Sequence, residues 1–293
     1  MRCQKDKTIM NRLAFLKLAS AALISGAFAV SLAGCGDKKE AAAPAGGETQ
    51  AAAPAKTLTV GVNPVPGGDI MKFLQPVFKK QGIELKIVEF SDYVQPNLAL
   101  ADGSIDANLF QHGPYLEDFA KQHNLKIAAL TTTYIAPLGV YSKTLKKPAD
   151  IAEGATVAVP NDPTNGSRAL RLLEQEGLIG IRKDAPFLVS PADIDQNPKH
   201  LKVVEVEAAQ LPRSLEDAAI AVINCTFALG AGLNPVKDAI AIESKDSPYA
   251  NVVAIRIGDE NRPEIQLLKK EVRTPEVKKF IEEHFKGSLV PTF

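Results

Sequence analysis

From residue 57 onward, short apolar runs alternate with segments whose apolar residues recur every three or four positions. The runs read as strands and the periodic segments as helices. Leu58–Val62 is the first predicted strand, stopped by Asn63-Pro64-Val65-Pro66-Gly67-Gly68. Asp69 is placed to cap a helix over Ile70–Lys80, which Pro76 weakens or kinks and Gly82 ends. Strand Leu85–Phe90, a helix near Leu98–Ala101, strand Ile105–Phe110, helix Tyr115–His123 and strand Lys126–Thr131 follow. A second run of the same kind begins with strand Leu138–Tyr141, a short helix opening at Lys147-Pro148-Ala149-Asp150, strand Thr156–Val159 and helix Arg168–Glu176. Lys202–Val206, Ala219–Ile223, Ile240–Glu243 and Asn251–Ile257 read as further strands, and helices Arg262–Val272 and Pro275–Phe285 close the chain. This rhythm predicts an α/β fold of parallel sheets covered by helices, divided into two lobes with a cleft between them.

In open α/β sheets, ligands sit beyond the carboxyl ends of the strands. Tyr93, Phe110, His112, Asn165, Arg168 and Asn224 occupy such ends. The richest stretch is Val-Pro-Asn-Asp-Pro-Thr-Asn-Gly-Ser-Arg, residues 159–168. Here Asn165 or Ser167 is expected to cap a helix that Arg168 begins, so that free backbone N–H groups and a guanidinium fork face a small carboxylate. The same residues also suit an ordinary strand-loop-helix joint with a surface arginine. Phe110 and His112 are two apart on a strand, which points both the same way.

The charge balance adds little: 34 basic and 34 acidic side chains leave no net charge to suggest nucleic acid or an anionic membrane surface as a partner. The N-terminal segment adds more. Arg2, Lys5, Lys7, Arg12 and Lys17 precede an apolar stretch, Ala21–Val30, too short to span a bilayer. It ends in Leu32-Ala33-Gly34-Cys35, which resembles a bacterial lipobox. The likeness implies a signal peptide over residues 1–34 (with Met10 an alternative start) and lipid on Cys35. Residues 36–56, rich in Ala, Pro and Gly, are expected to be a flexible tether. Cys3 would leave with the signal and Cys35 would carry lipid, so Cys225 is left as a lone thiol in an apolar run, more suited to burial than to nucleophilic attack.

Catalytic and cofactor motifs are missing. There is no Gly-x-Ser-x-Gly elbow, no phosphate loop and no Cys-x-x-Cys. His112, His123, His200 and His284 lack metal-ligand spacing. The expectation is no metal, no cofactor and no catalytic residue. The competing readings are an enzyme that uses His112 as acid or base, and a protein tuned to another small ligand or serving as a surface adhesin.

Six stretches in order resemble one family: residues 90–97 (Phe-Ser-Asp-Tyr-Val-Gln-Pro-Asn), 105–116 (Ile-Asp-Ala-Asn-Leu-Phe-Gln-His-Gly-Pro-Tyr-Leu), 157–165, 209–215, 221–224 and 247–249. They are similar to the NlpA family of lipoproteins, whose best-known members bind methionine for ATP-driven importers. The resemblance implies a two-lobed, type II-like periplasmic-binding-protein fold. It implies a pocket for the ligand side chain at Tyr93, Phe110, His112 and Tyr115, where aromatic rings suit a polarizable thioether. It implies carboxylate binding by Arg168, polar contacts from Asn165 and Asn224, and a weaker approach by Tyr134. It further implies partnership with an ABC permease and ATPase, and an envelope location with the body in the periplasm or extracytoplasmic space. Lobe 1 is expected over residues 57–136 plus 252–293 and lobe 2 over 137–251. Cys225 stands where many relatives carry a small hydroxyl residue.

Overall fold

A computed structural model describes residues 56–293; the expected signal peptide, Cys35 and all of the tether but Lys56 lie outside the described residues. The chain first lays down β1 (Lys56–Val62), α1 (Asp69–Lys80), β2 (Ile83–Glu89), α2 (Gln95–Asp102), β3 (Ala107–His112), α3 (Gly113–Gln122) and β4 (Ile127–Ile135). It then builds β5 (Gly139–Tyr141), β6 (Thr156–Pro160), α4 (Pro163–Gln175), a small hairpin of β7 (Gly180–Ile181) and β8 (Ile194–Gln196), and β9 (Lys202–Val206). Helix α5 (Leu211–Ser214), β10 (Ile220–Ile223), α6 (Cys225–Gly230), α7 (Pro235–Asp238) and β11 (Ala241–Ile242) complete this second run. The chain returns with β12 (Ala250–Arg256), α8 (Pro263–Glu271), α9 (Pro275–Phe285) and β13 (Val290–Pro291).

Two main sheets result. The first has the order β13-β4-β12-β3-β1-β2 and the second β11-β5-β10-β6-β9. The chain passes from the first sheet to the second across Ala136–Leu138 and comes back across Glu243–Tyr249. Both sheets are mixed, which corrects the expectation of purely parallel ones. β1 pairs in parallel with β2 and β3, but β12 inserts antiparallel between β3 and β4. In the second sheet β6 is parallel to β9 and β10, while β5 runs antiparallel to β10. An apolar strand buried on both faces looks the same in either direction, so the hydrophobic pattern does not encode this.

Each sheet has its own core. Leu58, Val60, Leu109 and Val253 pack against Leu74 and Phe78 of α1 and Val277 and Ile281 of α9. Val157, Val159 and Val222 pack against Ala169, Leu170 and Leu173 of α4. Helix α1 keeps Pro76 in its interior, buries Ile70, Met71, Leu74 and Phe78 along one stripe, and ends at Lys80.

Helix α4 begins earlier than expected. Its cap is Asp162, whose carboxylate accepts from the Asn165 N–H at 2.8 Å, and Pro163 fills the first helical position, where no N–H is needed. Asn165 and Ser167 are therefore inside the helix, and Arg168 lies in its second turn rather than at its start. Gly166 permits the close approach of this helix to β6, since a Cβ there would meet the Pro160 carbonyl oxygen at 2.9 Å.

Strand β3 is irregular in a way that bears on the site. Gln111 faces Val252 and Leu109 faces Val253, so Phe110 is the extra residue of a bulge. The bulge breaks the strict alternation expected for Phe110 and His112. It allows three consecutive residues, Phe110, Gln111 and His112, to border one cavity.

Candidate functional site

That cavity lies between the two sheets and is narrow, its walls closing in on one another. Tyr93, Phe110, His112 and Tyr115 form its aromatic wall. Asn165 and Arg168 enter from α4, and Asn224 with Cys225 and Thr226 from the start of α6. Ala136 closes it from the outward crossing and Asn251 from the start of β12. The seven principal site candidates of the sequence are thus brought together. Tyr134 is not among the lining residues. It packs into the first core, where its strand pairs with Pro291 of β13.

The aromatic wall is a contact chain. The Tyr93 ring lies 5.7 Å from Phe110, 5.9 Å from Tyr115 and 4.7 Å from Phe227 of α6, centroid to centroid. The Tyr115 hydroxyl donates to the Tyr93 carbonyl at 2.8 Å. Burial pushes both phenols above their ordinary range, so both stay neutral. Beneath the wall, Asn97, Asn108 and Gln111 interlock through side-chain amides: Asn97 donates to Gln111 at 2.7 Å, Gln111 returns a bond at 2.6 Å, and Asn108 donates to Asn97 at 2.9 Å. This buried, mutually satisfied cluster holds the end of β3 in place.

His112 caps α3 through Nδ1, which accepts from the Tyr115 N–H at 3.1 Å. Nε2 therefore carries the proton and donates to Asn165 Oδ1 at 3.1 Å. Burial, with help from the nearby Arg168 charge, pushes the His112 imidazole down to about 3, against the pull of its bond to Asn165. It is neutral at physiological pH, and both nitrogens are occupied. Between pH 6.5 and that depressed value, the unfolded chain takes up a proton that the folded chain does not. Stability is fully present above 6.5 and falls as pH drops. Urea unfolding is expected to lose about 1 kcal/mol from this residue over the first unit below 6.5. His112→Gln should flatten that slope, and an unchanged slope would count against the assignment.

Asn165 is the hub of the polar end. Its Oδ1 also accepts from Asn224 Nδ2 at 2.8 Å, and its Nδ2 donates to the Asp162 carboxylate at 3.0 and 3.1 Å. Burial holds the Asp162 carboxyl above the ordinary carboxylate range, while bonds from Asn165 and Thr164 oppose the shift. With its Nδ2 so engaged, Asn224 keeps an Oδ1 that is buried and has no partner. It is a ready acceptor in the cavity wall.

Arg168 is 3% exposed. Its Nε donates to Glu243 Oε1 at 2.8 Å, and its Nη2 bonds both Glu243 Oε2 and, at 2.9 Å, the Ala136 carbonyl. The Tyr249 ring covers the guanidinium at 4.6 Å. Among the described residues, Nη1 makes no hydrogen bond. Sequence reasoning did not single out Glu243, Gln111 or Asn251.

Burial pushes the Cys225 thiol up to about 12. In the folded chain it is expected to resist alkylation near neutral pH, reacting only once urea exposes it; mapping of iodoacetamide adducts by mass spectrometry checks this. Among the described residues, no cluster of three or more His, Cys, Asp or Glu could hold a metal, and no helix is long and apolar enough to cross a membrane.

Two sheets joined by two crossings, with a small cavity between them that is aromatic on one side and polar on the other, define a two-lobed periplasmic-binding-protein fold. The NlpA lipoprotein family matches residues 58–293, and the chain belongs to that family. It is 40% identical over 269 residues to a probable D-methionine-binding lipoprotein MetQ of Vibrio cholerae, covering 92% of this chain and 95% of the relative. It is 39% identical to lipoprotein 28 of Escherichia coli K12, over 94% of this chain and 97% of that one. Among solved structures, a nutrient binding protein from Burkholderia cenocepacia bound to methionine superimposes with a TM-score of 0.78 at 48% identity, covering 80% of this chain and 100% of that chain.

Proposed function

We propose that this chain captures methionine between its lobes and delivers it to an ABC importer. The observation that carries this is the pairing, in one cavity, of a guanidinium with a free Nη1 and an amide with a free buried oxygen, opposite an aromatic wall. A ligand carboxylate meets Arg168, its ammonium donates to Asn224 Oδ1, and its thioether lies against Tyr93, Phe110 and Tyr115 beside His112. Asn165 orients Asn224 and His112. The names of relatives in Vibrio cholerae and of the methionine-bound Burkholderia protein support the same ligand class. Tyr134 acts at most from behind, through the core.

In this reading the lobes span residues 57–136 plus 252–293 and 137–251. Lipid on Cys35 holds the body at the bacterial envelope, on the periplasmic or extracytoplasmic side, and a permease and its ATPase take up the ligand. His112 is a poor acid or base, being neutral, buried and bonded at both nitrogens, which speaks against an enzyme.

Calorimetry with L-methionine, D-methionine, leucine and glutamine tests the proposal. Tight, stoichiometric binding of at least one methionine enantiomer without turnover is expected. Binding of leucine or glutamine with no heat from either methionine would overturn it.

A further inference from the structure

Arg168 already holds a carboxylate, that of Glu243. Glu243 does not line the cavity. With Arg168, Arg171, Ser247 and Tyr249 it lines a separate outer hollow. Arg168 therefore borders both the cavity and this outer hollow, while Glu243 borders only the hollow. The pair also joins both chain crossings. Arg168 Nη2 donates to the carbonyl of Ala136 on the outward crossing. Glu243 opens the return crossing, and its Oε2 accepts from the Leu138 N–H at 3.2 Å. The Glu243 N–H donates to the Leu138 carbonyl at 2.9 Å, and Tyr249, at the end of the same crossing, covers the guanidinium.

We propose that Glu243 is a positioning residue that couples capture of the ligand's carboxylate to the two crossings. It uses Nε and one proton of Nη2, and Ala136 uses the other, so only Nη1 is left for the ligand. A carboxylate arriving there is bound by a guanidinium whose plane the crossings already fix, and it in turn holds the crossings in this arrangement. Glu243 touches no ligand. It determines where Arg168 offers its free edge, and so favours a ligand whose carboxylate reaches that edge over one that needs a two-pronged grip. The inference rests on the reading that the ligand carboxylate meets Arg168.

The test compares the unsubstituted chain with Glu243→Gln and Glu243→Asp, using methionine and methioninol, which lacks the carboxylate. Glu243→Gln is expected to weaken methionine binding about tenfold or more, chiefly through faster dissociation, and to leave methioninol binding within about twofold. Glu243→Asp, which keeps the charge on a shorter stem, should recover part of the loss. Melting of the ligand-free variants separates this from damage to the fold, and a Gln variant that fails to fold leaves the Asp variant to show the same selective loss. Methionine affinity unchanged in both variants, or equal weakening toward the two ligands, would overturn the positioning role alone. If the unsubstituted chain binds methioninol as tightly as methionine, or binds neither, carboxylate recognition at Arg168 falls and this inference with it.

Discussion

Arg168→Ala should lower methionine affinity by about a hundredfold to several thousandfold and also destabilise the ligand-free chain. The affinity falls because the ligand carboxylate would be buried with no partner, which costs several kcal/mol where water is excluded. The stability falls for a separate reason. Glu243, with a side chain only 12% exposed, would lose both of its guanidinium bonds. Breaking a buried pair by removing one partner costs about 3–5 kcal/mol. The two effects can be told apart. In Arg168→Ala combined with Glu243→Gln the stranded charge is gone, so urea unfolding should recover much of the stability while calorimetry still finds almost no binding. Arg168→Lys keeps the charge but not the planar fork, and should bind weakly yet fold well. Binding by Arg168→Ala within about threefold of the unsubstituted chain would sink the carboxylate assignment.

Asn165→Ala is expected to cost about 2–4 kcal/mol of stability and about ten- to a hundredfold in affinity. One side chain satisfies three buried groups: it accepts from His112 Nε2 and Asn224 Nδ2 and donates to Asp162. Each group left without a partner costs about 1–3 kcal/mol, less whatever water recovers. The His112 bond joins a residue of the first sheet to one on a helix of the second-sheet core, so its loss weakens the closed arrangement in particular. Asn165→Asp should be worse still, because it sets a second carboxylate against the buried Asp162. Urea unfolding and calorimetry on both variants check this; an unaffected affinity would remove Asn165 from the site.

Much of this was legible in the chain. The predicted strands and helices fall within a few residues of the observed ones, because apolar periodicity reports which face is buried. Periodicity says nothing of strand direction, and so β5 and β12 came as antiparallel insertions. The start of α4 is hard to place from the sequence because Pro163 has the character of a loop residue, although Asp followed by Pro is itself a helix-opening pair. The seven principal candidates line one cavity, since strand ends and loop polar residues collect where two sheets face each other. Tyr134 sits in the first core beside β13, a two-residue strand that leaves almost no pattern in the sequence. Glu243 was invisible as a partner of Arg168: the two are 75 residues apart, and nothing in a strand-end glutamate announces a distant arginine. The bulge at Phe110 likewise exists only in the pairing of β3 with β12.

The burial of the cavity wall has a consequence for exchange. Phe110, His112, Asn165, Arg168 and Asn224 are each at most 5% exposed. An incoming amino acid cannot push out a resident one through a wall this closed; the resident has to leave first, after the lobes part. In a chase with unlabelled methionine, release of a radiolabelled one should follow a single first-order rate that stays the same however much competitor is added. The protein then behaves as a timer as well as a trap. The interval between loading and loss is set by how often the wall opens, not by what is waiting outside.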